Sequence, residues 1–226
     1  HADRVGVRLS PRGKFNGMSD SNRAATFGHA IRRLDEFGLA YLHLLDPRNA
    51  KVFVFDAQMK FVRAYGEYGS GAGQLRQPTD LAFSPDGSQV FASGAELEVV
   101  HQFAFAKGYL SDHREIKIAD VKEKFVPAGL SLSKDGEQLY VANPWGDTVA
   151  MVPLKEPATI NHIKLKESDY PYTTLPSADG QRLYVSLWGR AGVAVINPET
   201  KKVDAVWETK AHPTELLLNK IQDLLF

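Results

Sequence analysis

Short runs of alternating apolar and polar positions, separated by turn residues, fill the second half of the chain. The fullest block is residues 171–209, PYTTLPSADGQRLYVSLWGRAGVAVINPETKKVDAVWET. A first apolar run reaches a turn at Asp179-Gly180, and Arg182 to Leu187 then places Leu183, Val185 and Leu187 on one face. Gly192 to Ile196 reads as a Val/Ala/Ile-rich strand, Asn197 to Thr200 as a turn, and Val203 to Trp207 as a last alternating strand. The same order recurs upstream as AGLSLSKDGEQLYVANPWGDTVAMVPL and as TDLAFSPDGSQVFASGAELEVVHQFAF. Its Asp-Gly turns fall at Asp86-Gly87, Asp135-Gly136 and Asp179-Gly180, so the period is 49 and then 44 residues. After His212-Pro213 the segment TELLLNKIQDLLF starts another copy, with Ile221-Gln222 in place of Asp-Gly.

Four short strands repeating at a period in the forties describe the blades of a propeller. One blade cannot bury both faces of its sheet, so neighbours must stack around an axis. In this register Lys51 to Asp56 and Phe61 to Tyr65 are the outer strands of one blade. Thr79 to Ala119, Ala128 to Lys166 and Tyr172 to Thr209 are three full blades, and Thr214 to Phe226 supplies the inner strands of another. The expected fold is mainly β, a partial β-propeller of about four blades. The repeat stops in mid-strand at Phe226, so further blades or a following domain are expected in the full-length chain.

The first fifty residues follow a different pattern. Arg4 to Leu9 is strand-like, and a helix is expected from Ala24, with Ser21 or Asn22 as cap and Phe27, Ala30, Ile31, Leu34 and Phe37 at helical spacing before Gly38. Leu39 to Leu45 is an apolar strand closed by Asp46-Pro47. Strand, helix, strand is a βαβ unit, which calls for parallel pairing.

Composition narrows the partners. Lys plus Arg and Asp plus Glu stand at 27 each, which leaves no net field to attract nucleic acid or an acidic membrane surface. With no cysteine, disulfides, thiol catalysis and Cys-ligated zinc are excluded. The chain begins with His1, and no apolar run approaches the roughly 18 residues of a membrane span. An internal piece of a longer chain, with no membrane and no nucleic-acid partner, is the expectation.

The segment DRVGVRLSPRGKFNGMSDSN, followed by ATFGHAIRRLDEFGLAYLHLLDPR, resembles the Old Yellow Enzyme family of FMN-dependent ene-reductases, whose barrel carries a VGxRLSP strand, an FNGM loop and a later LAYLHLxEPR strand. The resemblance implies a TIM-barrel origin for the βαβ fragment at residues 1–48, with Arg8 on the pyrimidine edge of FMN; it departs from the family at Arg12. From Lys51 the idiom changes. KVFVFDAQMKFVRAYGEYGSGAGQLRQPTDLAFSPDGSQVFAS resembles NHL-type propeller repeats, and LYVANPWGDTVAMV and LYVSLWGRAGVAVINPETKKV resemble YVTN, or YncE-like, repeats of bacterial proteins. These cover residues 49–226, and the resemblance tilts the compartment towards periplasmic or secreted.

In a propeller, the loops between strands two and three and between successive blades gather on the face that usually binds ligands. Those loops hold Asp80, Trp145, Asp147, Trp188, Arg190, His212 and Glu215, with the two tryptophans at matching places in successive blades. Aromatic and charged groups of this kind suit recognition of a protein, peptide or small ligand without catalysis, and without a cofactor. No second histidine matches His212 in other blades, and His29, His43, His101, His113 and His162 share no spacing that suggests a site, so no metal is expected. Gly69, Gly71 and Gly73 lack the ending of a phosphate loop, and Ser10, Ser84, Ser133 and Ser177 sit in turns outside any nucleophile motif. Two other functions remain open at this point: an FMN-dependent oxidoreductase resting on residues 3–48, and a propeller hydrolase such as a lactonase.

Overall fold

The computed structural model describes residues 6–9, 21–35, 41–46, 51–55, 61–65, 78–94, 98–106, 109–119, 126–155, 159–219 and 224–225. The chain forms two compact units, His1–Pro78 and Thr79–Phe226.

In the first unit, β1 (Gly6–Leu9), helix α1 (Arg23–Asp35), β2 (Tyr41–Asp46), β3 (Lys51–Phe55) and β4 (Phe61–Tyr65) follow in order. The expected parallel pairing is present, with Gly6 opposite Tyr41 and Arg8 opposite His43. Of the two candidate caps, Asn22 does the work: its Oδ1 accepts the Ala25 amide at 3.2 Å and its carbonyl accepts the Thr26 amide at 3.0 Å. Arg32 and Arg33 in the last turn oppose the negative end of the helix dipole. The sheet then continues as β1-β2-β3-β4, because β2 pairs antiparallel with β3 across Pro47–Ala50 and β3 with β4. The pair expected as the outer strands of a blade therefore extends the βαβ sheet, across the point where the sequence idiom changes. A connection this short between β2 and β3 favours antiparallel pairing, since a parallel one needs a crossover of a dozen residues or more. Among the described residues no helix is long and apolar enough to cross a membrane.

The second unit is built from three four-stranded sheets. The first contains β5 (Pro78–Phe83), β6 (Gln89–Gly94), β7 (Val99–Ala106) and β8 (Tyr109–Lys117), and the second β9 (Leu130–Leu132), β10 (Gln138–Asn143), β11 (Thr148–Pro153) and β12 (Asn161–Lys164). The third holds β13 (Pro171–Pro176), β14 (Leu183–Leu187), β15 (Gly192–Asn197) and β16 (Lys202–Glu208), and the short hairpin of β17 (Leu218–Asn219) with β18 (Leu224–Leu225) follows. Each four-stranded sheet is a meander of sequential neighbours.

Alternation explains how these sheets stack. Leu139, Val141, Ala150 and Val152 leave one face of the second sheet and pack with Phe91, Val100 and Ile118 of the first. The residues between them, Tyr140, Val149 and Met151, leave the other face and pack with Leu183, Val185, Ala194 and Ile196 of the third. A middle sheet buried on both faces needs nearly continuous apolar strands, and β10, β11 and β14 are buried along almost their whole length. Each such Val, Leu or Ile contributes about 1.5–3 kcal/mol. Outermost β16 is mostly exposed by contrast.

The three Asp-Gly turns are built alike. The hydroxyls of Ser84, Ser133 and Ser177 donate to Asp86, Asp135 and Asp179 at 2.6, 2.5 and 2.6 Å. Gly87, Gly136 and Gly180 take φ of 71, 73 and 76°, which glycine adopts without a Cβ penalty. These serines are turn-builders, as expected.

Further bonds cross between sheets. Leu130 N donates to Asp80 Oδ2 at 2.8 Å, Gly129 N to the Tyr172 carbonyl at 2.9 Å, and the Ser131 and Thr174 hydroxyls lie 2.7 Å apart.

Candidate functional site

The loop between β10 and β11 and that between β14 and β15 turn through the same backbone geometry. Asp147 and Ala191, 44 residues apart like the flanking strands, both sit at left-handed φ, 51° and 55°. Trp145 stands two residues before its left-handed position and Trp188 three before, so the two tryptophans are one step out of register. Trp145 sits at the corner, 69% exposed. Trp188 folds back: its ring stacks on His212 with centroids 4.0 Å apart at 24°, and meets Tyr170 edge-on at 6.2 Å.

His212 Nδ1 lies 3.0 Å from the Trp188 carbonyl oxygen. A carbonyl can only accept, so Nδ1 carries the proton, and in the neutral ring Nε2 keeps its lone pair. Arg190 Nη1 stands 3.9 Å from the buried Asp169 carboxylate, whose other oxygen accepts the Lys166 amide at 3.0 Å. Glu215 is exposed on the following segment.

Two of the expected site carboxylates serve the backbone. Asp147 accepts the amides of Tyr170 at 2.9 Å and Ser168 at 3.0 Å, while its carbonyl accepts Leu165 N at 2.8 Å, so it splints the loop between β12 and β13. Asp80 accepts Leu130 N and its neighbour Leu81 N, both at 2.8 Å. The structure thus gathers Trp188, Arg190 and His212 around Tyr170 and Asp169, leaves Trp145 outward, places Asp80 in strand β5, where it ties the first sheet to the second, and gives Asp147 to loop architecture. Of the β6–β7 loop, Ala95–Leu97 lie outside the described residues, as do the glycines at 69, 71 and 73 and the side chain of Arg8.

A second cluster escaped the sequence reading. His101 on β7 and His113 and Glu115 on β8 place one ligand atom each within 4.8 Å of one another. The signal in the sequence is the pattern His113-x-Glu115 on one strand, which puts both on one face; the register that brings His101 opposite is not visible there.

No family model matches the chain. Among curated proteins, a chanoclavine-I aldehyde reductase of Penicillium roqueforti is 38% identical over 69 residues, 29% of this chain and 19% of that one. A 12-oxophytodienoate reductase-like protein of Solanum lycopersicum is 40% identical over 47 residues, 21% of this chain and 12% of that one. The chain spans less than a fifth of the length of these relatives. Among solved structures, virginiamycin B lyase of Staphylococcus aureus, with quinupristin, gives a TM-score of 0.61 at 15% identity, over 79% of this chain and 56% of that one. The Cps50 (Swd1) β-propeller domain of Myceliophteria thermophila gives 0.57 at 13% identity, over 80% and 59%. Kuenenia stuttgartiensis hydrazine synthase gives 0.55 at 22%, over 70% and 44%. The fold is that of a β-propeller. The three meanders are its blades, and the chain spans about half the length of these neighbours.

Proposed function

We propose that the chain is part of a β-propeller recognition module, which binds a protein, peptide or small ligand on its loop face and carries out no chemistry of its own. The observation that supports this reading most is Trp145, a large aromatic side chain held 69% exposed at a loop corner. Exposed tryptophans and arginines are the residue types that dominate binding energy, and the Trp188–His212 stack with Arg190 adds a second such group. The repeats are of YVTN and NHL type, the three four-stranded sheets of the second unit are the blades, and the resemblance tilts the compartment towards periplasmic or secreted.

Panning a random peptide library against the chain tests this. Selected peptides are expected to bind a Trp145→Ala variant at least about 30-fold more weakly, with an unchanged Tm because the side chain packs on little. Peptides that bind wild type and variant equally would sink the reading.

A second reading, an FMN-dependent reductase, draws on the Old Yellow Enzyme resemblance of residues 3–48 and on the short matches to a chanoclavine-I aldehyde reductase and a 12-oxophytodienoate reductase-like protein. Flavin absorbance in the purified chain, lost in Arg8→Ala, is the observation it requires.

A further inference from the structure

We propose that His101, His113 and Glu115 form a three-ligand site for a divalent transition metal, Zn2+ by preference, on the β7–β8 hairpin. The site is separate from the loop face and does not depend on the recognition reading.

Register creates it. His101 pairs directly with Glu115, and His113, two residues earlier on β8, shares that face. Val100 packs against the second blade, so His101, the next residue, leaves the opposite face of the sheet. The pairing shifts between Gln102 and Ala104, with Asp112 at a left-handed φ of 50°. This β-bulge re-aims the strand just where His113 must reach its partner, and His101 Nδ1 lies 2.9 Å from His113 Nε2. Ring centroids 5.2 Å apart at 21° fit two imidazoles joined edge to edge.

Two imidazole nitrogens at this distance share one proton, and a metal ion is the other electrophile that satisfies both lone pairs. Tetrahedral Zn2+ with Zn–N near 2.0–2.1 Å sets its nitrogens about 3.3 Å apart, so the pair opens by a few tenths of an ångström. His101 is 1% exposed and held in the sheet. Phe103 lies flat against His113, centroids 4.8 Å apart at 22°, and fixes the plane of that ring. Glu115 is exposed and supplies an oxygen from the rim, leaving a fourth position to water. Two nitrogens and one carboxylate suit Zn2+, whereas Mg2+ and Ca2+ prefer all-oxygen shells. Bound metal would clasp the two outermost strands of the blade.

Chelator-treated protein titrated with ZnCl2 by calorimetry, and with CoCl2 by visible absorption, tests the assignment. One equivalent of Zn2+ is expected to bind, with shifts of the His101 and His113 imidazole resonances. Affinity should fall by about 10- to 100-fold or more in His113→Ala and in Glu115→Gln, and stay unchanged in His162→Ala and His212→Ala. Glu115→Gln alters only an exposed side chain and decides the matter if His113→Ala fails to fold. Zn2+ binding that is absent, or equal in wild type and Glu115→Gln, would overturn the proposal.

Discussion

Gly129 is where stacking of the blades can be broken with one methyl group. A Cβ there would lie 2.5 Å from the Tyr172 carbonyl oxygen and 2.6 Å from Thr173 Cα. Both atoms are backbone, so no side chain can swing aside. Restoring ordinary contact at 3.4 Å requires the two inner strands to part by roughly 1 Å, and the 2.9 Å bond from Gly129 N to Tyr172 O stretches with them. Overpacking costs about 1–3 kcal/mol and the weakened hydrogen bond about 0.5–1.5. Gly129 has an ordinary negative φ or extended backbone, so alanine returns about 0.4–1 kcal/mol by restricting the unfolded chain. The net loss for Gly129→Ala is about 0.5–4 kcal/mol, or a Tm lowered by roughly 1–16 °C at 2–4 °C per kcal/mol for a chain of this size. Gly28→Ala, in helix α1 where among the described residues a Cβ would meet only Arg32 Nη1 at 3.5 Å, is the control and should be neutral or stabilising. Calorimetry of both variants gives the answer. If Gly129→Ala melts within about 1 °C of wild type, residues 172 and 173 do not lie against it, and the reasoning fails.

The Asp-Gly turns give a pH signature. Hydrogen bonds, first from Ser84, hold Asp86 down from 3.8 to about 2, and Ser133 and Ser177 lead the lowering at Asp135 and Asp179. A carboxylate with a lowered folded pKa contributes stability that is complete above its unfolded value and drains as pH falls through the folded one. Thermal stability should therefore drop as pH falls from about 4 towards 2, with a shallower slope in the triple Asp→Asn variant; matching slopes in circular-dichroism melts would count against it. Asp147→Ala removes the acceptor for two amides and leaves a non-glycine residue at φ 51°. It should cost about 1–3 kcal/mol in urea unfolding, and Asp147→Asn clearly less, because asparagine tolerates that backbone and keeps one acceptor oxygen. Equal losses would show that the carboxylate does not splint the loop.

The strands were readable because the sheets bury alternating apolar side chains against their neighbours and the turns between them are marked by one chemical device. Val90, Leu139 and Leu183 fall in β6, β10 and β14 as their alternation requires. Asn22 was likewise readable as a cap, since its partners lie three and four residues away. What the sequence hid depends on distant partners. Nothing local tells whether an aspartate expected in a loop faces a ligand or an amide: Asp80 lies in β5 and holds the amide of Leu130, 50 residues away, and Asp147 that of Tyr170, 23 residues away. The one-residue offset between Trp145 and Trp188 shows only when the loops are aligned on their left-handed residues. His101 and His113 meet through a bulge, which shifts the register that simple spacing assumes. The antiparallel extension of the first sheet was obscured because its strands come from stretches that resemble different families.

The amides of Gly129 and Leu130 test blade stacking most directly, for both donate outside their own sheet, one to Tyr172 of the third blade and the other to Asp80 of the first. Residue-resolved hydrogen exchange should find both slowed by about 100-fold or more relative to an unprotected chain. Exchange of these two amides at the unprotected rate, while the amides of β10 and β11 stay protected, would mean that each sheet folds without leaning on its neighbours, and would contradict the account.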